Sequence, residues 1–255
     1  MTPIQALFLG IIQGLTEFLP ISSSGHLALL HNFFQEQSLA FDISIHFATL
    51  LAIVTFFIKD IINIIKDFFT LKIKSDNFKL VIYLILASIP AGIIGFLINA
   101  HIESIFSNLY AVSLGFFVSG FFLLSASFVK KKNKKLNIKN TFLIGISQAL
   151  AIFPGISRSG TTVSTGLLSG IKRENSIKFS FLLAIPAILG ANLLKISEIA
   201  SLNLSILAIG FISAFFSGLL AIFIFIKYLK ISNLKYLAIY CLLLAILSLF
   251  LGFFA

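Results

Sequence analysis

Six stretches of the chain, 38–58, 78–98, 108–129, 175–195, 204–227 and 233–254, stay apolar on all sides. Each is as long as the ~20 residues a helix needs to cross a hydrocarbon core. Two further apolar stretches, about 3–30 and 141–170, are interrupted near the middle by Pro, Gly and Ser. The first breaks at Pro20-Ile-Ser-Ser-Ser-Gly25 and the second at Pro154-Gly-Ile-Ser-Arg-Ser-Gly160. Non-helical backbone at membrane depth is tolerated only where protein or a water-filled cavity satisfies the freed groups. Each break therefore predicts a re-entrant helix–loop–helix, with a kinked ordinary span as the alternative. The expected fold is an all-α polytopic membrane protein, one integral-membrane domain over 1–255, with about six transmembrane helices and two re-entrant elements.

The two broken stretches resemble each other. Gly10-Ile-x-Gln13-x-Leu15-x-x-Phe18 matches Gly145-Ile-x-Gln148-x-Leu150-x-x-Phe153, and Ser22–Gly25 matches Ser157–Gly160 at the same offset of 135 residues. An odd number of spans separates them, which predicts two inverted-topology repeats, about 1–129 and about 136–255. Such repeats place a site at their interface near the midplane, with half-helix N-termini pointing at it.

Composition agrees with this layout and sharpens it. Hydrophobic residues make up 58% of the chain and charged residues only 11%, with a mean hydropathy of +1.07. A soluble domain of this size carries about 25% charged residues, so each charge retained within the apolar part carries information. Met1–Leu19 has no Lys or Arg, so it lacks the basic flank of a cleavable leader and is expected to belong to the mature chain. The single cysteine, Cys241, excludes an internal disulfide and sits in an apolar run. A net charge of +10 would suit a nucleic-acid partner, but the distribution of the cations argues otherwise. Of the 19 Lys and Arg, all but Arg158 and Lys195 fall in four groups. These are Lys59 to Lys79, Lys130 to Lys139 (with Lys131 and Lys132), Lys172 to Lys178 with Arg173, and Lys227, Lys230 and Lys235. With six spans and two re-entrant elements, all four groups lie on one side, which the positive-inside rule makes cytoplasmic. Both termini are then expected outside, in the periplasm, and no nucleic-acid partner is expected.

Few ionisable groups lie in the apolar part: Glu17, Asp42 and Arg158, with His26, His31 and His46 nearby. Each costs several kcal/mol unless paired, so each is a functional hypothesis. If the two breaks meet, Glu17 and His26 from the first share a cavity with Arg158 from the second. Such a cavity suits a phosphate. The loop ending at Gly160 precedes a helix, whose N–H groups and dipole favour an anion. Arg158 offers a planar fork matched to phosphate oxygens. Ser157, Ser159, Thr161 and Thr162 add hydroxyls, and Ser22, Ser23 and Ser24 lie beside His26. Glu17 can accept a proton or help hold a divalent cation, with Gln13 one helical turn earlier on the same face. A plainly structural Glu17–Arg158 pair is the competing reading. His31 and His46 read as interfacial or hydrogen-bonded core residues, and Asp42 as the outer end of its span. Gly92, Gly95, Gly115, Gly120, Gly190 and Gly218 suit close helix approach or a homodimer face, and Pro90 and Pro186 are expected to kink their helices beside the site.

Gln13-Gly-Leu-Thr-Glu17-Phe-Leu-Pro-Ile-Ser-Ser-Ser-Gly-His26 and Pro154-Gly-Ile-Ser-Arg-Ser-Gly-Thr-Thr162 resemble the two signatures of the undecaprenyl-diphosphatase family. The likeness covers the chain in length, spacing and inverted repeat. It implies hydrolysis of undecaprenyl diphosphate to undecaprenyl phosphate and inorganic phosphate, which recycles the carrier for cell-wall polymers and confers bacitracin resistance. The implied partners are that substrate and membrane lipid, and the implied place is the inner membrane with the site opening to the periplasm. By motif, Gln13 and Glu17 match the pair tied to activity and a divalent cation, Mg2+ or Ca2+. Gln13 stands where a second carboxylate is also found. Ser23 and His26 match the candidate nucleophiles. Ser157, Arg158 and Thr162 match the phosphate-binding positions, to which Ser22, Ser159 and Gly160 are added as neighbours. The mechanism expected is attack by Ser23 with His26 assisting proton transfer, while Arg158 and a cation near Glu17 stabilise the phosphoryl charge. The alternative is a transporter or flippase of the same phosphorylated carrier. A type 2 phosphatidic-acid-phosphatase likeness fails because Ser164 stands where that group needs a His.

Overall fold

The computed structural model describes residues 1–36, 38–98, 101–130, 133–194, 196–228 and 233–254. Lys131, Lys132, Lys195 and Lys230 lie outside these described residues. The first half runs α1 (Pro3–Phe18), α2 (Ser23–Phe34), α3 (Leu39–Phe56), α4 (Ile58–Phe69), α5 (Asp76–Ile98), α6 (Ile102–Phe106) and α7 (Leu109–Ser127). The second runs α8 (Ile138–Leu150), α9 (Arg158–Leu168), α10 (Arg173–Leu194), α11 (Ile196–Ile199), α12 (Leu204–Tyr228) and α13 (Leu234–Phe254). Six helices, α3, α5, α7, α10, α12 and α13, are long and apolar enough to cross a membrane, and they coincide with the six apolar runs. The chain is therefore a multi-pass, all-α membrane protein.

Helix starts follow local chemistry. Thr2 and Gln5 form a capping box at α1, with Pro3 in the first turn, where its missing N–H costs nothing. Asn137 and Asn140 exchange the equivalent bonds at α8. Pro90 and Pro186 lie inside α5 and α10, and both helices continue past them. The connection carrying Lys59 and Lys66 holds a helix of its own, α4. Ile58, Ile62, Ile65 and Phe69 are exposed along one side of it, the pattern of a helix lying in a membrane interface.

The packing exchanges partners between halves. The α1–α2 hairpin packs through α1 on α12, while the α8–α9 hairpin packs through α8 on α5. The last helices of the two halves, α7 and α13, pack on each other. Only 6% of the most apolar window of α5 is fully buried, so outside its seams with α8, α10 and α4 this helix faces lipid. The core lies under the two hairpin tips. There Phe18 meets Phe181 edge-on with ring centroids 5.4 Å apart, and Phe181 meets Phe225 at 5.4 Å.

Small residues decide how closely the hairpins dock. A Cβ on Gly10 would strike Ser213 and the Gly210 carbonyl, and one on Gly14 would strike Ser217. Gly115 lies against the Pro154 carbonyl in the same way, and on Gly120 a Cβ would come within 2.9 Å of Leu242. Gly92 and Gly190 differ from the expectation of close approach. Nothing lies within 4 Å of a Cβ built on either, because both face away from the bundle.

Candidate functional site

The α1 helix ends because Pro20 pushes the residue before it out of helical geometry; Leu19 is extended, at φ −65° and ψ 140°. The chain then turns at Ser22, a non-glycine residue held at φ 66°. Strain of this kind costs about 1–3 kcal/mol and persists only where surroundings enforce it. Here the Ser22 Oγ accepts from the Gly25 N–H at 3.2 Å, and its carbonyl accepts from His26 Nδ1 at 2.7 Å. The second tip turns at Gly155, at φ 81°, where a Cβ would also strike the Val112 carbonyl. Ser119 of α7 pins this tip by donating to the Gly155 carbonyl at 2.9 Å and accepting from the Ser157 N–H at 2.7 Å. Ser157 caps α9, its Oγ accepting from the Gly160 N–H at 3.0 Å.

The tips touch. Ser159 Oγ donates to the Leu19 carbonyl at 3.2 Å, and Arg158 Nη2 donates to Glu17 Oε1 at 2.6 Å. The other oxygen, Glu17 Oε2, accepts from Ser23 Oγ at 2.7 Å and from Gln13 Nε2 at 3.1 Å. Arg158 is oriented from behind: its Nη1 donates to the Ser180 carbonyl at 3.0 Å. Thr162 Oγ1 donates to the Arg158 carbonyl and lies 2.7 Å from Ser180 Oγ. The side chains of Glu17 and Arg158 are 7% and 13% exposed. At that burial, removing one partner would strand a charge in a low dielectric.

A cavity of about 240 Å³ opens above this ion pair. Glu17, Ser22, Ser23, Ser24, Ser157 and Arg158 form its polar end, joined by Asp42 and His46 of α3. Ile43, Ile102, Phe106, Ala187 and Ile188 form the apolar walls. One end thus suits an anion and the other a hydrocarbon. The α2 and α9 helices both begin at the polar end, so two positive dipole ends meet there.

Several expected site residues take other places. His26 does not line the cavity: its Nε2 lies 2.7 Å from the Tyr240 hydroxyl, and its ring stacks on Tyr240. The proton partner within reach of Ser23 is Glu17. Ser159, Gly160 and Thr162 do not line the cavity: Ser159 bonds the second tip to the first, the Gly160 N–H is taken up by the Ser157 cap, and Thr162 meets Ser180 of α10. Neither Gln13, whose Nε2 donates to Glu17, nor its counterpart Gln148 lines the cavity. Conversely, Asp42 and His46 belong to its wall. The signal was present in the sequence, two ionisable residues four apart on one face of an apolar span. Asp42 is held by His31, whose Nε2 lies 2.8 and 2.9 Å from its two oxygens. Tyr240 had no such signal, because 214 residues separate it from His26.

A divalent cation can be tested against the donors present. The Gln13 Oε1 is buried and has no hydrogen-bond partner among the described residues, while the Nε2 of the same amide donates to Glu17 Oε2. Among the same residues no cluster of three His, Cys, Asp or Glu forms a metal cage. The donors therefore fit a cation whose shell is completed by phosphate oxygens, as hard cations are commonly bound.

The profile of the family described as bacitracin resistance protein BacA matches residues 6–247. An undecaprenyl-diphosphatase of Thermosipho africanus is 46% identical over 96% of this chain and 98% of that protein. One of Methanosphaera stadtmanae is 41% identical over 98% of each chain. The undecaprenyl-diphosphatase 1 of Shouchella clausii is 37% identical over 97% of this chain and 95% of its own.

Proposed function

The chain belongs to the bacitracin resistance protein BacA family, and on that premise we propose that it is an integral-membrane phosphatase. It hydrolyses undecaprenyl diphosphate to undecaprenyl phosphate and inorganic phosphate. The observation that carries this reading is the constellation of Ser23, Glu17 and Arg158 at the meeting point of two helix N-termini, in a cavity polar at one end and apolar at the other.

Ser23 Oγ attacks the terminal phosphorus. Its proton passes to Glu17 Oε2, which already accepts it in a 2.7 Å hydrogen bond. As the Ser23 O–P bond forms, the bond from that phosphorus to the bridging oxygen breaks, and undecaprenyl phosphate leaves. Water then attacks the phosphoserine, Glu17 returns its proton to Ser23 Oγ, and inorganic phosphate departs. Arg158 and the N–H groups of α2 and α9 stabilise charge spreading over the phosphoryl oxygens, acting as preorganised donors in a water-poor site. Arg158 is aimed in advance because Glu17 and the Ser180 carbonyl hold its guanidinium. Gln13 and Glu17 would hold a divalent cation, for which the motif implies Mg2+ or Ca2+, and its chemistry when bound is to neutralise diphosphate charge.

The prenyl chain leaves along the apolar walls toward lipid. The cation distribution supports placing both termini outside and opening the site on that side, so phosphate is released to the periplasm. A transporter of the same lipid has no use for a serine hydroxyl bonded to a buried carboxylate. The test is phosphate release from a polyprenyl diphosphate by purified protein in detergent, with Arg158→Ala alongside. Release by the wild type that the variant loses supports the reading. A folded, metal-supplied sample that releases nothing rejects it.

A further inference from the structure

His46 is the one imidazole that faces the cavity beside Glu17, and the motif-based mechanism gives it no role. Its Nδ1 lies 2.7 Å from the Asp42 carbonyl. A carbonyl only accepts, so Nδ1 carries the hydrogen and Nε2 is the nitrogen turned toward the cavity. That Nε2 stands 3.5 Å from Glu17 Oε2, beyond the 2.7–3.2 Å typical of an N–H···O bond (roughly). It is close to the separation of two ligands sharing one metal ion, ~3.4 Å for bonds of about 2.1 Å at a tetrahedral angle. The hydrogen bond at the far nitrogen fits as well, because metal-bound imidazoles regularly donate their other N–H to a backbone carbonyl or carboxylate. Asp42 can serve in this way because His31 holds its side chain and so fixes the first turn of α3. The amide of Gln13, with Oε1 buried and unpartnered, touches the same carboxylate oxygen.

We propose that Glu17 Oε2 and His46 Nε2 are the two protein ligands of a divalent metal site on the wall of the cavity, with the Gln13 amide bonded to the same carboxylate oxygen from behind. This deepens the diphosphatase reading and rests on it for the phosphate oxygens that complete the shell. Mn2+ takes the oxygen ligands that suit Mg2+ and Ca2+, so it can stand in at this site for the ion that the motif implies. One carboxylate already paired with Arg158 leaves the site short of negative charge. Binding without a phosphate anion is therefore weak, and a diphosphate strengthens it.

The test uses Mn2+ with methylenediphosphonate, a diphosphate that cannot be hydrolysed at its bridge, on the purified full chain in detergent. Electron paramagnetic resonance reads Mn2+ binding, and electron spin echo modulation reads nitrogen bonded to it. The wild type is expected to bind Mn2+ with the modulation of a directly coordinated imidazole. His46→Gln is expected to lose that modulation and to bind Mn2+ at least ~10-fold more weakly, while His26→Gln keeps it. Bound Mn2+ without imidazole modulation in the wild type overturns the proposal, as does modulation that survives His46→Gln or a wild type that binds no Mn2+. Phosphate release from a polyprenyl diphosphate, measured on the same samples, separates the two readings. Hydrolysis without the nitrogen signal removes His46 from the metal and leaves the phosphatase standing.

Discussion

At the scale of single residues, the buried pair of Glu17 and Arg158 joins the two tips, and the proposed mechanism gives it a chemical role that substitutions can separate from the structural one. Arg158→Ala strands the carboxylate and is expected to cost about 3–5 kcal/mol of stability, read as a lowered melting temperature in detergent. It should also lower phosphate release by ~10²–10³-fold, the loss typical of one preorganised donor to a developing charge. Arg158→Lys keeps a cation but not the fork shared between Glu17 and the Ser180 carbonyl. It should regain much of the melting temperature and little of the activity. Ser23→Ala is expected to abolish turnover with a smaller change in melting than Arg158→Ala, because Glu17 keeps its bonds to Gln13 and Arg158. Turnover surviving in Ser23→Ala would transfer the attack to water or to His26. Glu17, Ser23 and Arg158 were legible in the sequence because a charge or a run of hydroxyls is costly to keep in a broken apolar stretch unless it is used there. The place of His26 was not legible. Its partner, Tyr240, lies on α13, and no local pattern encodes a ring stacked across the molecule.

At the scale of elements, the hairpins hold their tips at the site because α1 and α8 dock closely on α12 and α5. Gly10 and Gly14 are where α1 meets the backbone of α12. Gly14→Ala is expected to destabilise by about 1–3 kcal/mol, the usual cost of overpacking, and to lower activity by moving Glu17, which lies less than a turn away. Gly190→Ala, with no neighbour within 4 Å, should leave melting unchanged or raise it by the ~1 kcal/mol of helix propensity that glycine forgoes. Thermal melting of the two variants side by side checks the contrast, and equal destabilisation would remove the close-approach argument. Sequence alone names the small residues but cannot say which of them meet a backbone. That depends on the rotation of each helix about its axis.

At the scale of the whole molecule, the cation distribution makes a prediction about sidedness. In a Cys241→Ala background, Lys74→Cys should react with an impermeant thiol reagent only from the cytoplasmic side, and Asn203→Cys only from the outside. Both positions are exposed, and the native thiol is buried. Labelling of Lys74→Cys only from outside and Asn203→Cys only from the cytoplasm would reverse the assignment of the site's opening, and labelling of both from one side would reject the span layout itself. The sequence by itself determined the six spans, the two broken hairpins and the kinship of their tips, because hydropathy, proline and glycine act over a turn or two of chain. It also assembled most of the polar end of the cavity, since those residues are neighbours along the two motifs. Only the tertiary structure decided which imidazole faces the carboxylate. His46 lies 29 residues from Glu17 along the chain, and its Nε2 reaches the cavity only because α3 is packed in one rotation against α1 and pinned there by His31 and Asp42. Contacts of that kind follow from the fit of whole helices, which no short segment contains.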